Sequence, residues 1–495
     1  MSTKKTTLHQ TRRDLAGTAA VQADGKKRTV KPRGRRRVAL AVATVTAATV
    51  LSACSTGSSG SAAGAPDAAA DLPLPATDAY NITNSPSHKD IDLAIESRSM
   101  RVGGKEIKRY VYTDAARPET AALGAGLPIV VDAGDTVRLD VANGTGTATN
   151  IHWHGMSVPN EQDGPGLLIE PGTDHTYSFK AEAAGTYWYH SHERPVRDQV
   201  DEGMYAPFIV RDPADAEYDL DQILVLDDWV AGGNVGHMEV VGDVDTVNGR
   251  TGKDISPLAL ATGQIAKLRL INASSARTQV MRFPVGVRVT HTDGAPLPEP
   301  YTTRSLEIAP GERYDVELAM TDSTDKNLAI TNERDAGLRI PITYTASGAK
   351  PAASPFTPPP TTSLAPGLNA RNPDVEMTLS DDMAGMSGHR WTINGEVFPE
   401  TGRFDLERGR TYRIRFRNDG MHRMGHPMHL HGAHFRVLDH DGTPEDREIW
   451  KDTIDIPYGQ YVDVAVTFDK PGAWMVHCHI LDHEDGGMMT TVDVR

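Results

Sequence analysis

Cysteine is nearly absent from the 495-residue chain: Cys54 and Cys478 are the only two. A disulfide-stapled fold is therefore excluded, and so is a zinc centre built from several thiolates. Positive charge is scarce outside the N-terminus. Residues 1–53 hold 12 Lys/Arg against 2 Asp/Glu, whereas the remaining 442 hold 39 against 64. So acidic a body disfavours nucleic acid and attracts small cations. Hydrophobic residues make up 39% of the chain, enough for packed cores and too many for wholesale disorder. The 45 Gly and 32 Pro favour turn-rich β architecture over helices. The length suits about three to four domains.

Residues 35–54 read RRRVALAVATVTAATVLSAC. A basic block, an uncharged stretch over 38–53 that is short for a membrane span, and a closing Leu51-Ser52-Ala53-Cys54 have the layout of an export signal. The last four residues resemble a bacterial lipobox, which implies lipidation of Cys54. We expect a signal peptide with lipobox at 1–54 and a flexible tether at 55–80. The protein would then sit on the outer face of the cytoplasmic membrane, touching it only through the lipid anchor. Arg36-Arg37 suggest twin-arginine (Tat) export.

Three ten-residue segments align without gaps: GDTVRLDVAN at 134–143, GQIAKLRLIN at 263–272 and GRTYRIRFRN at 409–418. Each opens with Gly, places apolar residues at alternating positions and closes with Asn, the mark of a half-buried strand between turns. A second cue follows each one: PGTDHTYSF at 171–179, PGERYDVEL at 310–318 and YGQYVDVAV at 458–466. The copies start 129 and 146 residues apart, the spacing of β-sandwich domains. We expect an all-β chain with sandwiches at 81–212, 213–350 and 374–495, and a Pro-rich connector at 351–373.

Copies one and three carry paired histidines. They are HWHG at 152–155 and HSH at 190–192, then HLHG at 429–432 and HCH at 477–479. Along a strand, residues i and i+2 face the same side, so each pair can present two imidazoles to one metal cluster. Copy two has only His237 and His291, neither of them paired. It reads as structural, with the outer copies facing each other across metal. Eight imidazoles suit copper or iron, whereas zinc clusters would call for thiolates. Cys478 should point away from His477 and His479, which leaves His426, His483 and Met488 as partners for its metal. A His₂Cys set with a weak axial Met is a blue-copper electron-transfer site.

HWHG, HSH, HPMHLHG (426–432) and HCHILDHEDGGMM (477–489) resemble the four copper signatures of the multicopper oxidase family, and the likeness runs from about residue 85 to 495. The resemblance implies three cupredoxin-like Greek-key β-sandwich domains and four copper ions. The type 1 copper would take His426, Cys478 and His483, with Met488 axial. The type 2 copper would take His152 and His429. The type 3 pair would take His154, His190 and His479 on one ion and His192, His431 and His477 on the other. Many laccases read HLHGHxF where this chain reads HLHGAHF, so His434 is not expected to bind copper.

The implied reaction couples four one-electron oxidations of a donor to reduction of dioxygen to two waters. Electrons would arrive through His426 or His483 and pass from Cys478 to His477 and His479. Asp163 and Glu484 match the family's acids beside the cluster, where they would supply protons or orient ligand histidines. The donor would be small: Cu(I), Fe(II) or a phenol. Thioethers favour Cu(I), and nine of the 16 Met lie between residues 377 and 489. Met424, two residues before His426, stands where related cuprous oxidases place a substrate-binding Met. Met386 lies in the acidic segment DDMAGM at 381–386. These two are the expected donor-site residues. The Asp that those enzymes carry two residues before that Met is His422 here. A cuprous oxidase for copper tolerance thus competes with a laccase of phenols or aromatic amines, which requires an open cleft over His426 and His483. A non-enzymatic copper-binding envelope protein is the third reading. A copper nitrite reductase needs fewer than these eight histidines.

Overall fold

In the computed structural model the three aligned segments become three eight-residue strands, Thr136–Asn143, Ile265–Asn272 and Thr411–Asn418. Each pairs antiparallel with the strand carrying its second cue: Asp174–Lys180, Arg313–Ala319 and Tyr461–Thr467. The structure describes residues 75–495 except 81–86, 115–125, 322–324, 326, 351–352, 365–367, 369–371 and 384–388. The expected signal peptide, Cys54, most of the expected tether and Met386 therefore lie outside the described residues.

The closing Asn shows why the pattern recurs. Asn143 Nδ2 donates to the carbonyls of Thr147 and Ile169, Asn272 Nδ2 to those of Arg277 and Ile308, and Asn418 Nδ2 to those of Met424 and Ile456. Each Oδ1 accepts from the backbone N–H two residues on, at Thr145, Ser274 and Gly420. Each main-chain carbonyl accepts from the glycine of the second cue, Gly172, Gly311 or Gly459. Those glycines sit at φ of +72° to +87°, a conformation in which a side chain is strained. Asn272→Ala removes both donors and strands the buried Ile308 carbonyl and the half-buried Arg277 carbonyl, so we expect a loss of about 2–3 kcal/mol of stability. Denaturant unfolding would show it as a lower midpoint.

Copy one folds as two four-stranded sheets. One is led by Lys105–Asp114 and His88–Val102; the other orders Ile129–Asp132, Tyr205–Arg211, Gly185–His190 and His152–His154. Copy three has a seven-stranded and a five-stranded sheet, the second ordering Arg403–Leu406, Met489–Val494, Gly472–Cys478, His426–Leu430 and Thr453–Ile456. In copy two the layers run together as one nine-stranded sheet. The cause is the long strand Gln279–Thr292, which pairs with Arg313–Ala319 at one end and Ala329–Asn332 at the other, across a register shift between Arg282 and Val287. Alternation packs each core: Thr411–Asn418 turns Tyr412, Ile414 and Phe416 inward. The chain is thus all-β, built from Greek-key sandwiches. The Pro-rich connector is tied to both neighbours, Ser354 donating to Glu317 and Thr362 to Glu448.

Candidate metal centre

The paired histidines come from the short sheets of the outer copies. His152 lies opposite His190 in one ladder, and His429 opposite His477 in the other. Only HWH lies wholly within a strand. The other three pairs straddle a strand's end, at His190, Leu430 and Cys478. All eight imidazoles converge in a sealed chamber, none more than 5% exposed.

Their ring nitrogens meet at close range. His152 Nε2 and His429 Nε2 are 3.3 Å apart, and His154 Nδ1 and His190 Nε2 are 3.4 Å apart. The Nε2 atoms of His431 and His192 lie 3.1 and 3.2 Å from that of His477. Two nitrogens bound to one first-row metal at about 2.0 Å, near tetrahedral angles, stand about 3.3 Å apart, so the spacing fits metal ions. The His479 ring lies 5.0 Å from that of His154 and 5.4 Å from that of His190. Neither of its ring nitrogens has a hydrogen-bond partner although the residue is buried, a cost that metal ligation would remove. Burial, helped by neighbouring imidazoles, holds His154, His190, His431 and His479 well below the usual histidine pKa. They are neutral, as ligands must be.

Cys478 faces away from the chamber. Its Sγ is 3.5 Å from His483 Nδ1 and 3.7 Å from His426 Nδ1, and those two nitrogens are 3.1 Å apart. Burial pushes the thiol far above its usual pKa, so a thiolate exists here only beside a bound cation. Met488 is fully buried next to this set. Its carbonyl accepts from Cys478 N, and its N–H donates to the His483 carbonyl. Trp391 stacks on the His483 ring at 3.6 Å between centroids.

Each acid of the chamber touches one histidine from either outer copy. Asp163 Oδ2 accepts from His431 Nδ1 at 2.7 Å, and its Oδ1 is 3.2 Å from His152 Nδ1. Glu484 lies 3.1 Å from His477 Nδ1 and 3.4 Å from His192 Nε2. Burial raises its pKa, but these two imidazoles outweigh burial and hold the carboxyl at about 2. A third acid was not anticipated: Asp452 Oδ1 is 3.2 Å from His154 Nε2 and 3.5 Å from His429 Nδ1. Arg313 grips Asp452 with two bonds of 2.6 Å and also donates to the carbonyls of Thr186, Gly311 and Asp293. Copy two thus lends no paired histidine but supplies the cation that fixes an acid behind the cluster. A faint signal existed. The second cue has Arg313 where the other copies have Asp174 and Tyr461. His434 stays out of the chamber and donates to the Asp293 carbonyl.

Around the thiolate site, Met424 and, from copy two, Met238 are half-buried against the copy-three core. Glu239 Oε1 lies 3.5 Å from His483 Nε2. His422 stands where related enzymes have Asp, yet a carboxylate is present: buried Asp381 accepts from His422 Nδ1 and from Met421 N–H, each at 2.6 Å.

Residues 124–215, 226–350 and 370–495 each match a multicopper oxidase family pattern. The chain is similar to multicopper oxidase MmcO of Mycobacterium tuberculosis, 30% identical over 77% of this chain and 86% of that one. Copper resistance protein A of Pseudomonas syringae pv. tomato is 26% identical over 83% and 93%. Among solved structures, a multi-copper oxidase from Pseudomonas thermotolerans superposes with a TM-score of 0.69 at 27% identity, over 83% of this chain and 100% of that one. A laccase-like multi-copper oxidase from Ochrobactrum sp., described as active towards lignin model compounds and lignosulfonate, gives 0.70 at 25% identity, over 86% and 100%. Family patterns over most of the chain, on a fold that gathers its histidines as copper ligands must be gathered, settle the assignment: the chain belongs to the multicopper oxidase family and is a copper-dependent oxidoreductase.

Proposed function

We propose that the enzyme holds four copper ions and oxidises Cu(I) with dioxygen as acceptor. His426, Cys478 and His483, joined by Met488, would hold the type 1 ion, and His152 with His429 the type 2 ion. His154, His190 and His479, and His192, His431 and His477, would hold the type 3 pair. Copper bound there supplies the one-electron acceptor and the dioxygen-reducing centre. The chain's own groups do the rest. Cys478 is flanked in sequence by His477 and His479, so one residue of backbone on either side joins the thiolate to the chamber. Asp163 and Asp452 fix imidazole orientation from behind. Glu484, a carboxylate poised between His477 and His192, can accept a proton transiently and pass it on.

The observation that carries the Cu(I) reading is the sealing of the type 1 histidines: His426 is 1% exposed and His483 fully buried. A bulky phenol needs a cleft against one of these rings. Instead Trp391 covers the His483 face and Glu239 stands at its outer nitrogen. A small soft cation can be served by the thioethers of Met424 and Met238 and drawn by Glu239 and Asp381. The expected partner Met386 belongs to this proposal. Oxygen uptake with Cu(I), Fe(II) and a phenol tests it. We expect the highest kcat/KM with Cu(I), a loss of about tenfold on that donor in Met386→Leu/Met424→Leu, and much less loss on the phenol. A phenol as best donor, or equal losses, would reject the reading.

A further inference from the structure

The helix Leu481–Asp485 carries His483 on the type 1 side and Glu484 on the chamber side, and all three sandwiches hold it. From copy one, Val196 N and Arg197 N donate to the Asp485 carboxylate at 2.8 and 3.0 Å, and Arg194 donates to the Asp485 carbonyl. From copy two, the Ser275 carbonyl accepts from Leu481 N at 3.0 Å. Asp482 joins both sides at once. Its Oδ1 accepts from Arg197 Nη1 at 2.7 Å, and its Oδ2 accepts from Val240 N at 2.6 Å.

Val240 belongs to an irregular strap, residues 230–243, between the strands Leu220–Trp229 and Val244–Val247. The strap contains Gly232, Gly233, Gly236 and Gly242 and is tied within itself by Asn234, which accepts from Gly236 N and Val241 N and donates to the Glu239 carbonyl, so the Asp482–Val240 bond is what anchors this folded strap to the helix. The residue before Val240 is Glu239, the acid at His483 Nε2. Because His483 Nδ1 faces Cys478, a carboxylate at Nε2 selects the tautomer that leaves Nδ1 free to ligate.

We propose that Asp482 is a positioning residue for electron transfer into the type 1 site: by pinning Val240 it seats Glu239 on His483. It thereby fixes that ring's tautomer and places negative charge at the edge where a donor docks. The inference rests on the ligand assignment above and is independent of which donor is preferred. A residue that only stapled the sandwiches together would lower stability without touching the donor side.

The test is a double-mutant cycle in the copper-loaded full chain, Asp482→Asn with Glu239→Gln, run with Cu(I) and again with Fe(II). Each single variant should raise KM by about tenfold and shift the thiolate absorption band. The double variant should be no worse than Glu239→Gln alone, because the two changes break one linkage. Val240→Pro, which deletes the N–H that Asp482 holds, should behave like Asp482→Asn and serves if that variant does not fold. Additive effects on KM, or a lowered melting midpoint with KM and band unchanged, would overturn the proposal. A different preferred donor would change which substrate gives the larger rate and leave the cycle's non-additivity intact.

Discussion

Cys478→Ser yields a folded, colourless protein whose oxidation of every donor falls by at least about 10³-fold, some 4 kcal/mol of barrier. The substitution is nearly isosteric. The hydroxyl would occupy the buried position of Sγ, between His426 and His483, where a hydrogen bond to either ring is possible, so the cost in stability is small. What is lost is the soft anionic ligand and the covalent route from it to the flanking histidines. No imidazole of the chamber is altered, so copper should remain there while the site between His426 and His483 empties. Metal analysis, the visible spectrum and oxygen uptake read these three results separately. A variant that kept its blue absorption, or a tenth of its turnover, would show that Cys478 is not the conduit.

Arg313→Met should be the most damaging change outside the ligands. Met approximates the aliphatic stem, but the guanidinium contacts disappear and Asp452, 1% exposed, loses its only fixed cation and keeps the His154, His429 and His434 rings and the Thr453 hydroxyl. Burial by itself raises the Asp452 pKa; Arg313, with His154 and His429, is what holds it well below the usual carboxylate range. Breaking such a buried pair costs about 3–5 kcal/mol. The acid also orients His154 and His429, so copper affinity should fall about 10–100-fold. Adding Asp452→Leu separates the two effects. Stability should return in part, because the lone Asp452 charge is gone although the carbonyls of Thr186, Gly311 and Asp293 still lack their donor, while affinity should not. Denaturant unfolding of the metal-free protein and a competitive chelator titration measure the two terms. If affinity recovered along with stability, Asp452 would have no role in holding the ligands.

Much of the fold, and the meeting of the paired histidines, is legible because it is written locally. Gly, alternation and Asn mark a strand wherever they occur, and the Asn clamp depends on bonds that each copy repeats within itself. Paired histidines declare a shared direction at a spacing of two residues. The supporting groups are written non-locally. Arg313 and Asp452 are 139 residues apart, and Glu239 and His483 are 244 apart. Nothing in the alternation of either strand says which sandwich surfaces will meet, so copy two read as structural although it furnishes both Arg313 and Glu239. The Asp381–His422 pair shows the same limit at shorter range. The carboxylate missing from the loop before Met424 is supplied by the strand Val375–Met383, which a motif comparison along the loop does not register.

Asp163, Glu484 and Asp452 each reach one imidazole from the first sandwich and one from the third. Neither outer sandwich can therefore assemble the chamber alone. A nascent chain has to be synthesised beyond Glu484 before the two halves of the chamber can close on each other. Maturation becomes a single late event, and copper starvation should leave an intact but separable seam between the outer sandwiches rather than a partly working catalyst.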